Sequence, residues 1–307
     1  MHRHFRSLLL SVGLTGIAWA ALAATTWGQA TPAAKPPAAS PAKAAVVTVP
    51  TPGSFRKLAP GVMEAVDPHR ELEETFDKHH VVELLAVDPT FEWAKNVTFR
   101  RDIWYLEFKF KPVRYIEVDI PQPNGRMERK LIRYLLYSVT NPGRIMHPEP
   151  DKDGTVRIMP VNRPIHFIPQ FSLETQDAAH KVYPDRVMPL ALAPIRQRED
   201  PSRPIYSSIE MNRDIAVGET VWGVATWESV DPKIIRYSIF VNGLTNAYRF
   251  TDDPGAYKAG DPIGKGRHLF LKTLKLNFWR PGDEFNEHEE EVRYGAPGEV
   301  DYEWIYR

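Results

Sequence analysis

Apolar and polar side chains alternate between Ile103 and Lys111. Trp104, Leu106, Phe108 and Phe110 hold the even positions, and Tyr105, Glu107 and Lys109 the odd ones. A period of two is the spacing of a strand with one buried face. Beyond Pro112 the parity continues through Ile116, Val118 and Ile120, so one long strand bent at Pro112 is expected. Pro121-Gln122-Pro123-Asn124-Gly125 then supplies residues that tolerate a chain reversal. The returning run, Lys130 to Thr140, is apolar on both parities: Leu131, Leu135 and Val139 on one, Ile132, Tyr134 and Leu136 on the other. That predicts a central strand covered on both faces.

Further strands are predicted at Val221–Trp227 and Ile235–Val241. Two more are expected at His268–Trp279 and Tyr302–Tyr306, and turns at Val217-Gly218, Asn242-Gly243 and Pro281-Gly282. Short strands punctuated by Gly, Pro and Asn predict an all-β fold, an antiparallel β-sandwich of Ig-like or related type. Residues 141–210 break this rhythm. They are Pro-rich and weakly periodic, with a short strand candidate at Ile165–Leu173. A short helix is expected near Asp185–Arg198, interrupted by Pro189 and Pro194. A long irregular insertion is therefore expected there, either packed over the sheet or bordering a cleft.

The chain start has a different character. Arg3 and Arg6 precede an uncharged apolar run from Leu8 to Ala24, and small residues follow at Ala21-Leu22-Ala23 and Gly28-Gln29-Ala30. This is the layout of an export signal, expected as an N-terminal signal helix over 1–30 and cut between Ala30 and Thr31, with Ala23 as the alternative site. An uncleaved anchor is the competing reading, since the apolar run is close to the length that spans a membrane. Residues 31–53 contain seven Ala and six Pro, with no acidic and no aromatic residue. They read as a disordered linker ahead of a folded body at 54–307.

Composition narrows the function classes. The chain has 39 basic and 39 acidic residues, so the basic excess of a nucleic-acid binder is missing. It has no cysteine, which removes disulfides, thiol nucleophiles and thiolate metal sites.

Motif chemistry is sparse. His79-His80 are neighbours, which on a strand point to opposite faces. His288-Glu289 lacks the second histidine of a zinc-protease helix. Asp151 and Asp153 open a Ca²⁺-loop-like Asp-Lys-Asp-Gly, but the later ligands do not follow. Asp151, Asp153 and His288 are thus the metal candidates, and no cofactor is expected. Gly260–Gly266 lacks the spacing and hydroxyl of a phosphate loop. Five tryptophans fall on predicted strands, and Trp222 and Trp227 are the candidates for stacking on a sugar. The competing reading puts them in the core.

Several blocks resemble a family of uncharacterised, signal-bearing secreted proteins of planctomycete-type bacteria. They are FRKLAPGV (55–62), VELLAVDP (82–89), FEWAKNVTFRRDIWYLEFKFKPVR (91–114), GVATWESVDP (223–232) and VDYEWIYR (300–307). That resemblance implies export and carries over no activity or site residue. GETVWGVATWE (218–228) with YSIFVNGL (237–244) is similar to Ig-like accessory domains of envelope proteins, with Val217 where those carry a proline. It implies a structural or binding role, with an envelope component or polysaccharide as partner. The alternative is an extracytoplasmic carbohydrate-binding protein or hydrolase with a cleft bordered by 141–210. Membrane contact is expected only through an uncleaved signal segment.

Overall fold

The structure, a computed structural model, describes residues 62–68, 81–82, 99–100, 102–150, 156–255, 264–281 and 292–307. The signal segment 1–30, the linker 31–53 and the start of the body lie outside the described residues. Strands make up 52% of what is described and helix 6%. The fold is therefore mostly β.

In chain order the elements are β1 (Glu64–Val66), β2 (Val81–Val82), β3 (Phe99–Arg100), β4 (Glu107–Phe110), β5 (Arg114–Pro121) and β6 (Met127–Thr140). They continue with β7 (Ile145–Pro150), β8 (Val156–Val161), β9 (Ile165–Phe167), β10 (Gln170–Thr175), β11 (Val182–Pro184) and helix α1 (Pro189–Glu199). Next come β12 (Tyr206–Ser207), β13 (Arg213–Ile215), β14 (Thr220–Trp227) and β15 (Arg236–Asn242). The last are β16 (Tyr248–Asp252), β17 (Arg267–Trp279), β18 (Arg293–Tyr294) and β19 (Tyr302–Tyr306).

One sheet runs β1-β4-β6-β14-β12, with β5 also on β6. A second runs β11-β10-β15-β17-β16, with β18 and β19 also on β17, and β9 with β13, β2 with β3 and β7 with β8 form two-stranded sheets. Every ladder is antiparallel except β12 with β14. One aromatic core joins the two sheets. Phe108 and Tyr137 of the first meet Phe171 of the second at ring distances of 6.4 and 4.8 Å, and Phe110 meets Phe278 at 6.1 Å. The outer face of the first sheet is covered by α1, with Ile132, Tyr134, Leu136 and Val224 packed around Ala191 and Ile195. β6 is thus buried on both faces, as its two-sided apolar pattern predicts.

The long bent strand is present, with a twist in its bookkeeping. β4 and β5 both pair with β6, but Phe110 faces Tyr137 and Arg114 faces Tyr134, so Lys111-Pro112-Val113 oppose only two residues. This is a β-bulge, and one extra residue moves the following side chains to the other face. Phe108 and Phe110 point between the sheets, whereas Ile116, Val118 and Ile120 point toward α1. Equal parity across Pro112 therefore does not mean an equal face. The alternation also fails before β4. Ile103 and Tyr105 are buried beside Met146 and Ala247, through bridges from Ile103 to Met146 and from Tyr105 to Thr245, while Trp104 is half-buried.

The connection 141–210 corrects the expectation of an irregular insertion. It holds β7 to β12 and α1, and β10 pairs with β15 deep in the second sheet. The prolines hide this for a local reason. Met146 exchanges both backbone bonds with Ile103, so its N–H points away from β8. Pro148 and Pro150 share that orientation and cost the β7–β8 ladder no bond. The strand expected over Ile165–Leu173 divides into β9 and β10, which belong to different sheets. Pro189 starts the helix instead of interrupting it, because a first-turn proline has no N–H partner to lose. Pro194 does sit inside the helix.

Candidate functional site

Asp151, Asp153 and His288, the predicted metal candidates, lie outside the described residues, as do Ala30, Thr31 and the His79-His80 pair. The two tryptophans proposed for stacking do not offer open faces. Trp227 is 1% exposed in the core between the sheets, which corrects its reading as a ligand platform. Alternation on β14 sends Trp222 to the other face, where it packs against the α1 cluster and carries the Arg203 guanidinium 4.1 Å from its ring centre. A sugar would have to displace that cation.

The described histidines are each next to a carboxylate. His147 Nδ1 lies 2.6 Å from Asp102, His166 Nδ1 2.7 Å from Asp214, His268 Nε2 3.1 Å from Asp253 and His180 Nε2 3.7 Å from Glu174. Arg163 already occupies the other Asp102 oxygen at 2.6 Å. The pairs are scattered over the surface, and no group of three or more metal-ligating side chains forms among the described residues.

Two carboxylates are held in unusual settings. Glu199, the last residue of α1, has a side chain only 1% exposed. It accepts from Tyr134 Oη at 2.7 Å, Arg114 at 2.9 Å and Lys111 Nζ at 3.0 Å. Alternation past Phe110 already puts Lys111 on the helix side, and the bulge brings Arg114 to the same side. Burial pushes the carboxyl up, but the bonds from Tyr134 and Lys111 and the charge of Arg114 outweigh it, leaving the group below its usual value.

Asp185 is the opposite case. It stands where the chain leaves β11 and crosses to the edge of the first sheet, and Arg186 N–H bonds Thr226 O at 2.9 Å. The Asp185 carboxyl accepts from the Thr226 amide at 2.8 Å and from the Ser208 hydroxyl. Burial wins over these bonds and raises the group. The buried Tyr137 hydroxyl, which has no protein partner, feels its charge. Sequence reasoning had no means of finding this corner, since Tyr137, Asp185, Ser208 and Thr226 are far apart in the chain and lie in no motif.

The remaining feature is a surface. β16 and the first half of β17 form a two-stranded arm, from Tyr248 paired with Leu271 to Asp252 paired with Arg267. Leu269, Phe270 and Leu271 are 55, 37 and 46% exposed along it. Arg267 donates two hydrogen bonds to Asp252, 2.7 Å to each carboxylate oxygen, and lies 3.8 Å over the Phe250 ring. The β19 ladder on β17 begins at Lys272, and Arg307 extends it by exchanging both backbone bonds with Leu271, so Leu269 and Phe270 lie beyond it. Three consecutive exposed apolar side chains on a strand present apolar surface to both sides, which a soluble body usually avoids unless something binds there.

No family model, no curated protein and no solved structure matches this chain.

Proposed function

We propose that the chain is an exported protein of the cell envelope whose folded part serves a structural or binding role. Its body is read as a β-sandwich of Ig-like or related type, from the two sheets that share the Tyr137–Phe171 core. Export rests on the basic start, the apolar run and the small residues before Thr31. The resemblance to secreted planctomycete-type proteins supports the same location. The observation that carries the binding role is the β16–β17 arm with Leu269, Phe270 and Leu271 exposed. The partner class is an envelope component, with a polysaccharide less favoured since Trp222 and Trp227 do not present free ring faces.

A hydrolytic alternative has one observation in its favour. Asp185 and Ser208 both come from the 141–210 connection, and the Asp185 carboxyl is raised as a proton-transfer group would be. Cell fractionation with N-terminal sequencing of the recovered protein tests the envelope reading. A chain beginning at Thr31 outside the cytoplasmic membrane is expected, and a chain beginning at Met1 in the cytoplasm would refute it. Ester- or glycoside-cleaving activity abolished by Asp185→Asn would move the function to the hydrolytic reading.

A further inference from the structure

Arg133 lies on the inner face of β6 and is 2% exposed. A guanidinium brings five N–H donors and a permanent charge into whatever space it enters. One terminal nitrogen donates to the Asp231 carbonyl at 2.8 Å. The other, NH1, is buried with no protein partner, and no carboxylate among the described residues pairs with Arg133. The rings of Tyr115 and Tyr237 stand 5.3 and 5.7 Å from its Cζ and offset part of the charge.

The surroundings repeat the same imbalance. Tyr115 is the cross-strand neighbour of Arg133 on β5, Trp227 its neighbour on β14, and Tyr237 reaches in from β15 of the other sheet. The two phenol oxygens and the Trp227 indole N–H are also buried without protein partners. Such orphans are rare in folded proteins, and three of them around a cation with an orphan nitrogen of its own are not explained by packing alone. Glu199 shows the contrast: there each buried donor is matched to a carboxylate. Around Arg133 each unpartnered group can donate, and no carboxylate among the described residues pairs with the guanidinium.

We propose that this cluster binds a small oxyanion of the sulfate or carboxylate class, held by Arg133 NH1 and the hydroxyls of Tyr115 and Tyr237. An anion supplies both acceptor oxygens and the missing charge, whereas water supplies only the first. The turn between β14 and β15 borders the site. Its Asp231 carbonyl is taken by Arg133 and its Pro232 carbonyl by Arg280 at 2.7 Å, so the bound anion also steadies that turn.

Thermal melting of the full chain with increasing sulfate or acetate, against chloride at equal ionic strength, tests this. Tyr237→Phe keeps the ring and removes one hydroxyl. Sulfate also stabilises proteins by exclusion from their surfaces, an effect the variant shares, so the difference between the two proteins is what counts. A saturable rise of about 5–10 °C is expected for wild type at about a hundred times its Kd. In chloride Tyr237→Phe melts at or above wild type, because a buried orphan hydroxyl is gone, and in saturating sulfate or acetate the order reverses. A response to acetate as well as sulfate assigns a carboxylate-accepting site, and a response to sulfate alone a tetrahedral one. Equal shifts in both proteins, or no saturable shift in wild type, would overturn the proposal. Tyr115→Phe serves as the second variant should Tyr237→Phe fail to fold.

Discussion

Phe110 and Ile116 have the same parity and lie on strands that share the partner β6, yet they face opposite sides of the sheet. Phe110 meets Tyr294 in the inter-sheet core at 5.0 Å, and Ile116 packs on the α1 side. The bulge at Lys111-Pro112-Val113 is the cause, and it also aims Arg114 at Glu199 beside Lys111. Helix docking and sheet register are therefore set by the same extra residue.

Deleting Pro112 removes that residue. Either Phe108 and Phe110 or Ile116, Val118 and Ile120 then face the wrong side, forfeiting roughly 1.5–3 kcal/mol for each misplaced side chain. A loss of that size consumes much of a typical stability of about 5–15 kcal/mol. The expected outcome is an unfolded or aggregating protein by circular dichroism, whereas Pro112→Ala, which keeps the length, stays folded.

Glu199 and Asp185 give opposite pH dependences. The Glu199 carboxyl is lowered in the fold, so its stabilisation is present above its unfolded pKa of about 4.3 and is lost as pH falls through the folded value. The Asp185 carboxyl is raised, so its contribution is complete below about pH 3.9 and declines as pH rises through the folded value. Melting temperatures from about pH 3 to 7 separate them. The penalty of Glu199→Gln shrinks toward acid, and Asp185→Asn gains on wild type as pH rises. Glu199→Ala at neutral pH costs about 3 kcal/mol, the low end for a broken buried pair, because Lys111 and Arg114 keep 11 and 19% side-chain exposure.

Gly223 on β14 leaves room for the Tyr137 ring. A β-carbon there would stand 2.6 Å from both Cζ and Oη of Tyr137 and 2.9 Å from Met211 Cγ. Tyr137 is walled by Phe108 and Phe171 and has no space to retreat. Gly223→Ala is expected to cost about 1–3 kcal/mol by overpacking, read from denaturant melts. Tyr137→Phe alone is expected to be neutral or slightly stabilising, since the hydroxyl it deletes has no protein partner.

How far the sequence led depends on which residues carry the pattern. Alternation located β5, β14, β15 and β17, and the turn residues placed Gly125 and Gly218, both of which adopt positive φ. It could not give the phase of β4 against β5, because a bulge changes the face without changing the spelling. β7 was hidden by prolines whose harmlessness depends on the distant bridge to Ile103. Arg133 and Tyr237, or Tyr137 and Asp185, meet only when two sheets close on each other, so neither cluster leaves a local signature.

Folding is expected to rest on apolar burial. Leu135, fully buried on β6, should cost about 2–5 kcal/mol as Leu135→Ala. Melting with and without a chelator should give the same midpoint. A drop restored by one ion would instead promote Asp151, Asp153 and His288 as ligands.

The binding role proposed above is tested most directly by sedimenting the purified protein with bacterial envelope fragments, comparing wild type with Leu269→Lys. Leu269 is 55% exposed, so the substitution leaves the folding stability within about 0.5 kcal/mol of wild type. Wild type is predicted to pellet with the envelope and the variant to remain in the supernatant. Equal partition of the two proteins, or a wild type that never pellets, would contradict a binding role for the β16–β17 arm.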